Sequence, residues 1–155
     1  MHIRQGRLSP SLWQALQEIK SVVLYSHGQP VFQGGADPDG IYIVESGRVR
    51  VLLAQEPRTP LLLSVEDAPG TIFGLAETIS GEPYRVTVEA ECHTTAGFIP
   101  SEKFLAVLQQ RADLTREVMR LLAEDLESLY RKFRKVNAPP GRRPHHPRGI
   151  PTGRT

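Results

Sequence analysis

The sequence predicts a mainly β domain, an antiparallel sandwich or barrel with helices before and after the strands. Between Val22 and Ile99, short apolar runs alternate with turn signals at intervals of about eight to twelve residues, which is typical of such folds. Before Val22 and after Ile99, apolar residues recur instead with the period of amphipathic helices. At 155 residues, the chain has the length of one domain with a substantial core.

Composition and cysteine content exclude several classes of protein. Hydrophobic residues make up 39% and charged residues 23% of the chain, which is typical of a soluble globular domain. No apolar run has membrane-spanning length, and Met1–Gln5 lacks the apolar stretch of a secretory signal, so we expect a cytoplasmic protein with no membrane partner. Cys92 is the single cysteine, so neither an internal disulfide nor a cysteine-based metal cluster can form.

The positive charge of the chain is concentrated at its C-terminus. Residues 137–155 contain four arginines, five prolines and no acidic residue, and we expect this tail to be disordered. Without those four arginines, 15 basic residues stand against 17 acidic ones, so the body is slightly acidic and has no electrostatic footprint for nucleic acid. The tail is interpreted as a solvated segment, with weak binding to RNA, DNA or acidic lipid as the alternative.

Turn and cap residues place the first elements. Ser9-Pro10 is a helix start, with serine as the cap and proline in the first helical position, so a helix is predicted over Pro10–Lys20. Gln33–Gly40 is rich in glycine, proline and aspartate, which predicts a loop. Strands are predicted over Val22–Tyr25, Pro30–Phe32, Leu61–Val65 and Cys92–Ile99, and over Ile41–Leu53 as a hairpin that turns at Glu45–Arg48.

Pro69–Glu91 is the stretch around which the prediction of function is organised. It reads as a strand, a short helical turn at Phe73–Glu77, a tight turn at Gly81–Pro83 and a second strand. The first backbone N–H groups of a helical turn have no partner within the helix and favour an anion such as phosphate. Arg85 follows a few residues later and has the charged fork that binds phosphate.

The last part of the chain predicts two helices, a short one that starts near Pro100 and a long one from about Asp113 to Val136. Leu114, Val118 and Leu121 form a stripe suited to packing on the barrel. A second stripe has the 3, 4, 3, 4, 3 spacing of a heptad seam, which predicts a homodimer; the alternative is one wide apolar face on the same domain. The seam residues are Met119, Leu122, Leu126, Leu129, Phe133 and Val136.

Three stretches, in order, resemble the cyclic nucleotide-binding domain, and most closely the sensor half of the Crp/Fnr (catabolite-activator) regulators. They are Gly28–Gly34, the hairpin DGIYIVESGRVRV at Asp39–Val51, and Pro69–Ala90, which is similar to the family's phosphate-binding cassette. The resemblance covers residues 8–136. It implies an antiparallel double-stranded β-helix (jelly-roll) barrel with an N-terminal helix and a long C-terminal dimerisation helix.

The resemblance also implies a small effector in the barrel, with cAMP or cGMP as the candidates. Its ligand-binding residues would be Phe73, Gly74, Leu75, Ala76, Glu77, Tyr84, Arg85, Val86 and Thr87. The chain departs from the family at two of these positions. Leu75 stands where the family has the glutamate that holds the ribose, and either Tyr84 or Arg85 takes the position of the phosphate-binding arginine. Because strand faces alternate, that register decides whether the guanidinium points inward or outward.

The sequence is therefore interpreted as a non-catalytic regulatory sensor module, acting as a homodimer and through a possible protein partner. No helix-turn-helix follows the long helix, so autonomous sequence-specific DNA binding is not expected, and a stand-alone module and a truncated regulator both remain open. One alternative is an effector-free interaction domain with a degenerate pocket. A metal-dependent enzyme on a similar barrel is disfavoured, because His27 and His93 do not form the paired ligands such a site needs.

Overall fold

The computed structural model describes residues 2–55 and 57–137, with the backbone alone at positions 136 and 137. The predicted disorder of the tail and the seam side chain of Val136 lie outside the described residues. The elements are β1 His2–Arg4, α1 Pro10–Ile19, β2 Ser21–Tyr25, β3 Pro30–Phe32, β4 Gly40–Ser46, β5 Val49–Gln55, β6 Arg58–Glu66, β7 Thr71–Phe73, α2 Leu75–Ser80, β8 Thr87–Ala90, β9 Thr94–Pro100, α3 Ser101–Gln110 and α4 Ala112–Asn137.

The strands form two antiparallel sheets, and the predicted β fold is confirmed. The five-stranded sheet has the order β1-β7-β4-β9-β2, and the four-stranded sheet has the order β3-β8-β5-β6. Inward-facing residues of both sheets form one apolar core, in which Val49 and Val88 are fully buried. The chain divides into two compact units at the junction between Val118 and Met119. The predicted single domain over residues 8–136 stays a prediction.

The first helix begins where its cap residues predict. The Oγ atom of Ser9 accepts the Leu12 N–H at 3.1 Å, and Pro10 occupies the first helical position. Ser9 also donates its backbone N–H and its hydroxyl to the Glu117 carboxylate, at 2.7 Å and 2.5 Å. Glu117 is buried, and these two hydrogen bonds offset the cost of removing its charge from water.

One strand of the structure was not predicted. β1 pairs with β7, so that Ile3 lies opposite Ile72 and is buried. Arg4 fixes this edge strand by an ion pair with the buried carboxylate of Glu66, at 2.8 Å. A three-residue strand is too short to show the alternation on which strand prediction depends, which is why the sequence did not reveal it.

The two apolar stripes of α4 differ sharply in exposure. Leu114, Val118 and Leu121 are no more than 2% exposed. In the described part of the heptad stripe, Leu122 is half-buried, and the exposed members are Met119 at 64%, Leu126 at 55%, Leu129 at 52% and Phe133 at 63%.

Candidate functional site: the cassette between β7 and β8

The cassette is the segment β7–α2–β8 with its connecting turns, and its backbone shape depends on Gly74. Gly74 lies at the N-terminus of α2 with φ 89°, a left-handed conformation that residues with a Cβ adopt at a cost. A Cβ atom at this position would lie 2.8 Å from the Gly40 carbonyl oxygen. The cassette therefore packs closely on the start of β4, and only glycine fits at this position.

The short helix α2 is held to the following strand through its first turn. The Glu77 side chain is 9% exposed, and its Oε2 atom accepts the Arg85 backbone N–H at 3.5 Å. Leu75 is half-buried and Ala76 is exposed. The predicted ligand residues at the start of α2 therefore lie close together. The buried Glu77 carboxylate places a negative charge beside them.

Tyr84 is the centre of the hydrogen bonds at this site. Its side chain is 3% exposed, and its ring stacks on Phe32 with 4.1 Å between the ring centroids. Its hydroxyl lies 2.7 Å from the Gly40 carbonyl oxygen and 2.8 Å from Oδ1 of Asp39, and it donates its proton to one of them at a time. The same hydroxyl oxygen accepts the backbone N–H groups of Gly40 at 3.1 Å and Asp39 at 3.2 Å.

A second tyrosine shares the Asp39 carboxylate. The Tyr42 hydroxyl lies 3.1 Å from each Asp39 oxygen. Burial, and next the negative charge of Asp39, raise the pKa of Tyr42 above its ordinary value. Burial also raises the pKa of Tyr84, with the hydrogen bond to Asp39 adding to it. We call this group, made of Asp39, Gly40, Tyr42 and Tyr84, the tyrosine hub.

The loop between β3 and β4 closes over the cassette through backbone bonds. Tyr84 donates its N–H to the Ala36 carbonyl at 3.0 Å, and its own carbonyl accepts the Gly35 N–H at 2.8 Å. The Thr87 hydroxyl oxygen accepts the Gly34 N–H at 2.9 Å. These hydrogen bonds therefore hold the loop that carries Asp39 against the segment that leads into β8.

Arg85 and its neighbours alternate as a strand requires. Tyr84 and Val86 are buried, Arg85 is exposed and Thr87 is half-buried. Of the two residues that could take the position of the family's arginine, Tyr84 points inward and Arg85 points outward. The ligand-binding role of these residues stays a prediction.

The interior beside the cassette is occupied by aromatic side chains. Phe32 contacts Tyr42 and Phe73 as well as Tyr84, with ring centroids 5.5 Å and 6.3 Å apart, and Tyr42 also contacts Phe98 at 4.9 Å. The polar groups that reach this cluster include the phenols of Tyr42 and Tyr84 and the Asp39 carboxylate. A negative group of this kind repels phosphate and attracts a hydrogen-bond donor or a cation.

Sequence reasoning missed Asp39, Tyr42 and Phe32 as parts of the site. The sequence contains one relevant signal. Tyr84 stands two and four positions before the buried Val86 and Val88, so its side chain points to the same inward face if the extended conformation begins before β8. The pairing of Tyr84 with Asp39 spans 45 positions, and no local pattern carries it. Within the described residues, no group of three His, Cys, Asp or Glu side chains could hold a metal ion.

The exposed stripe of α4 forms a second surface of note. Four side chains enclose a shallow apolar concavity of about 450 Å³, namely Leu126, Leu129, Tyr130 and Phe133. Among the described residues, no helix is both long and apolar enough to cross a membrane.

The two sheets and the cassette define a β-roll, and one family model matches it. The cyclic nucleotide-binding domain model matches residues 22–111, more than half of the chain, and the chain therefore belongs to that family. The match extends from β2 to the residue after α3, and it includes the whole cassette.

Solved structures confirm the fold at low sequence identity. The catabolite activator protein of Thermus thermophilus has a TM-score of 0.72 and 22% identity over 83% of this chain and 60% of its own. The sensor domain of the transcriptional regulator DNR from Pseudomonas aeruginosa has a TM-score of 0.65 and 23% identity, covering 86% of this chain and 87% of its own.

A curated relative is much longer than this chain. Lysophospholipase nte1 of Aspergillus fumigatus is 28% identical over 102 residues, which cover 66% of this chain and 7% of the fungal protein. The chain thus spans a small fraction of the length of the curated relatives it matches.

Proposed function

We propose that the chain is a non-catalytic regulatory module that binds a small effector at the cassette and signals through a dimer formed by α4. In this proposal it acts in the cytoplasm and on a partner protein. The observation that carries the proposal is the cassette itself. In the cassette, the left-handed Gly74 lies against the Gly40 carbonyl. A surface loop without a binding role would not require such a close approach.

The α4 helix supplies the means of signalling in this proposal. In the described part of the helix, its heptad stripe leaves four large side chains more than half exposed to water, namely Met119, Leu126, Leu129 and Phe133. Each such side chain contributes roughly 1.5–3 kcal/mol when it is fully buried, so a second helix that covers the stripe gains a substantial driving force. An effector shifts such a dimer if it has different affinity for two arrangements of it.

Titration calorimetry of the full chain with cAMP and cGMP, and with 5′-AMP as a control, tests the proposal. Because Arg85 is exposed, a phosphate-bearing effector would be held at the outer side of the cassette. Loss of a charge-assisted bond to phosphate costs about 1.5–3 kcal/mol, so Arg85→Ala should weaken binding roughly 10- to 100-fold. Arg58→Ala, which removes an exposed arginine from β6, is the matched control and should leave affinity unchanged.

A second candidate is an effector-free interaction domain, and the tyrosine hub favours it. The Tyr84 hydroxyl already has hydrogen-bond partners on Asp39 and Gly40, and the carboxylate beside it opposes an incoming phosphate. Absence of heat with all three nucleotides would favour this candidate. Equal loss of affinity in the Arg85 and Arg58 variants would contradict a phosphate contact at Arg85.

A further inference from the structure

Among the described residues three glutamates are buried, and they differ in how their charge is stabilised. Glu66 forms an ion pair with Arg4 at 2.8 Å. Glu117 accepts two hydrogen bonds, at 2.7 Å and 2.5 Å. Glu77, in the cassette, accepts one backbone N–H at 3.5 Å, which is longer than the usual 2.7–3.2 Å of such bonds. Glu77 is therefore the exception among the three.

The burial of Glu77 makes this arrangement costly. The residue is 9% exposed, and no lysine, arginine or histidine side chain within the described chain forms an ion pair with it. The N–H that it accepts belongs to Arg85, whose own side chain is exposed. A carboxylate removed from water costs free energy unless a cation or several hydrogen bonds compensate its charge. The described residues do not supply that counter-ion.

The next residue of α2 also has an incompletely satisfied side chain. Thr78 is 4% exposed, and its Oγ1 atom has no hydrogen-bond partner among the described residues. Few buried polar atoms in native proteins lack a partner, and a bound ligand is one explanation for those that do. The short helix α2 therefore holds two neighbouring buried side chains whose oxygen atoms have unused hydrogen-bonding capacity.

We propose that the effector of the cassette carries a primary ammonium group and that the Glu77 carboxylate binds it. This inference rests on the effector binding of the proposed function and names the chemical class of the effector. An ammonium group supplies a positive charge and three N–H donors, which are the two things that the buried carboxylate lacks. A charge-assisted hydrogen bond of this kind is shorter and stronger than one between neutral groups.

The surroundings of Glu77 favour an organic ammonium over a metal ion. In the part of the chain that the structure describes, no three His, Cys, Asp or Glu side chains form a group that could hold a metal. The residues on either side of the Arg85 N–H, Tyr84 and Val86, are buried, and Leu75 is half-buried. The short hydrocarbon chain of an alkylamine would therefore meet apolar side chains while its nitrogen meets the carboxylate.

This role differs from the one that the family gives to a glutamate of the cassette. The family's glutamate holds a ribose hydroxyl, and Leu75 stands at its position in this chain. Glu77 is two positions further along α2, which places its side chain about 200° around the helix from that of Leu75. The carboxylate therefore reaches a different place and is suited to a different ligand group.

The Arg85 amide reports on this contact directly, because its N–H lies against the Glu77 carboxylate. In ¹H–¹⁵N spectra of the full chain, recorded in a buffer free of amines, butylammonium should shift the Arg85 signal saturably with a Kd below about 10 mM. Butan-1-ol has the same shape without the charge, and tetramethylammonium has the charge without N–H donors. Both should bind at least about tenfold more weakly than butylammonium.

Two glutamate variants locate the contact. Glu77→Gln should weaken butylammonium binding at least about tenfold, because it removes the charge and keeps the shape of the side chain. Glu82→Gln is the matched control, since Glu82 is an exposed carboxylate just beyond α2, and it should leave the affinity unchanged.

Thermal unfolding without ligand separates a binding role from a structural one. Glu77→Gln should raise Tm by about 2–4 °C, because it removes a buried charge while the amide oxygen can still accept the Arg85 N–H. Glu117→Gln should instead lower Tm, because one amide oxygen replaces the two carboxylate oxygens that accept from Ser9. Butylammonium should raise the Tm of the wild-type chain and leave that of Glu77→Gln unchanged.

The outcomes separate this inference from the proposed function. Equal affinity for butylammonium and butan-1-ol, equal affinity of the wild type and Glu77→Gln, or a lower Tm of Glu77→Gln without ligand would overturn the ammonium site. A response of the Arg85 amide to cAMP or cGMP but not to butylammonium would overturn it and leave the proposed function standing. Spectra unchanged by every amine and nucleotide would overturn it as well, and would favour the effector-free interaction domain.

Discussion

Removal of one oxygen atom from the tyrosine hub should destabilise the barrel measurably. In Tyr84→Phe the ring still stacks on Phe32, but the backbone N–H and carbonyl of Gly40 lose their hydroxyl partner in a buried position. A hydrogen bond to a charged group contributes about 1.5–3 kcal/mol, and an unsatisfied buried group costs a similar amount. We expect the free energy of unfolding to fall by about 2–3 kcal/mol, which lowers Tm by roughly 6–9 °C in a chain of this size.

Urea unfolding of Tyr84→Phe, followed by circular dichroism, measures this loss. Tyr25→Phe is the matched control, because Tyr25 is also buried but its hydroxyl makes no hydrogen bond to the described residues. The control should change stability by less than about 0.5 kcal/mol. A Tyr84→Phe variant as stable as wild type would refute the reasoning. Combination with Asp39→Asn should show a coupling energy of about 1 kcal/mol, since the two groups share one hydrogen bond.

Three more predictions follow from the same structure. Burial raises the pKa of the Tyr84 hydroxyl above its ordinary value of 10.0, so this hydroxyl loses its proton at a lower pH in the unfolded chain than in the folded one. The free energy of unfolding should therefore fall as the pH rises above 10, by about 1.4 kcal/mol per pH unit for each such tyrosine. In Tyr84→Phe the fall should be less steep. Gly74→Ala should lower the free energy of unfolding in urea by about 2–3 kcal/mol, because the new Cβ atom sits on a left-handed backbone and also meets a carbonyl oxygen. Gly35 has the same left-handed conformation but open space around it, so Gly35→Ala should lower the free energy of unfolding by about 1 kcal/mol. Leu126→Asp with Leu129→Asp should give a folded monomer in sedimentation; a dimer of wild-type affinity would locate the interface elsewhere.

Most of the fold was predictable because its signals are local. The cap at Ser9-Pro10 and the loop at Gln33–Gly40 depend on residues within a few positions of one another, and the structure has α1 and β4 beginning where these signals indicate. The alternation after Arg85 likewise predicts the buried residues of β8. Differences at element ends amount to a few residues, as in β6, which extends from Arg58 rather than Leu61.

The site was less predictable because its contacts are distant in sequence. Whether Tyr84 or Arg85 points inward depends on a shift of one residue, and the turn before it does not fix that shift. The structure resolves the direction through the bonds of Tyr84 to Asp39 and Gly40, residues that belong to another loop. A sequence pattern within the cassette contains no information about that loop, so the hub could not be anticipated.

The bond between Ser9 and Glu117 has a consequence for the order in which the chain acquires its structure during synthesis. The two residues are 108 positions apart, and the Glu117 carboxylate accepts both the backbone N–H and the hydroxyl of Ser9. On the ribosome, α1 is made before β2, yet it receives this partner only after β9 and α3 have been translated. This helix therefore emerges before the strands from β2 to β9 and is fully anchored only after them.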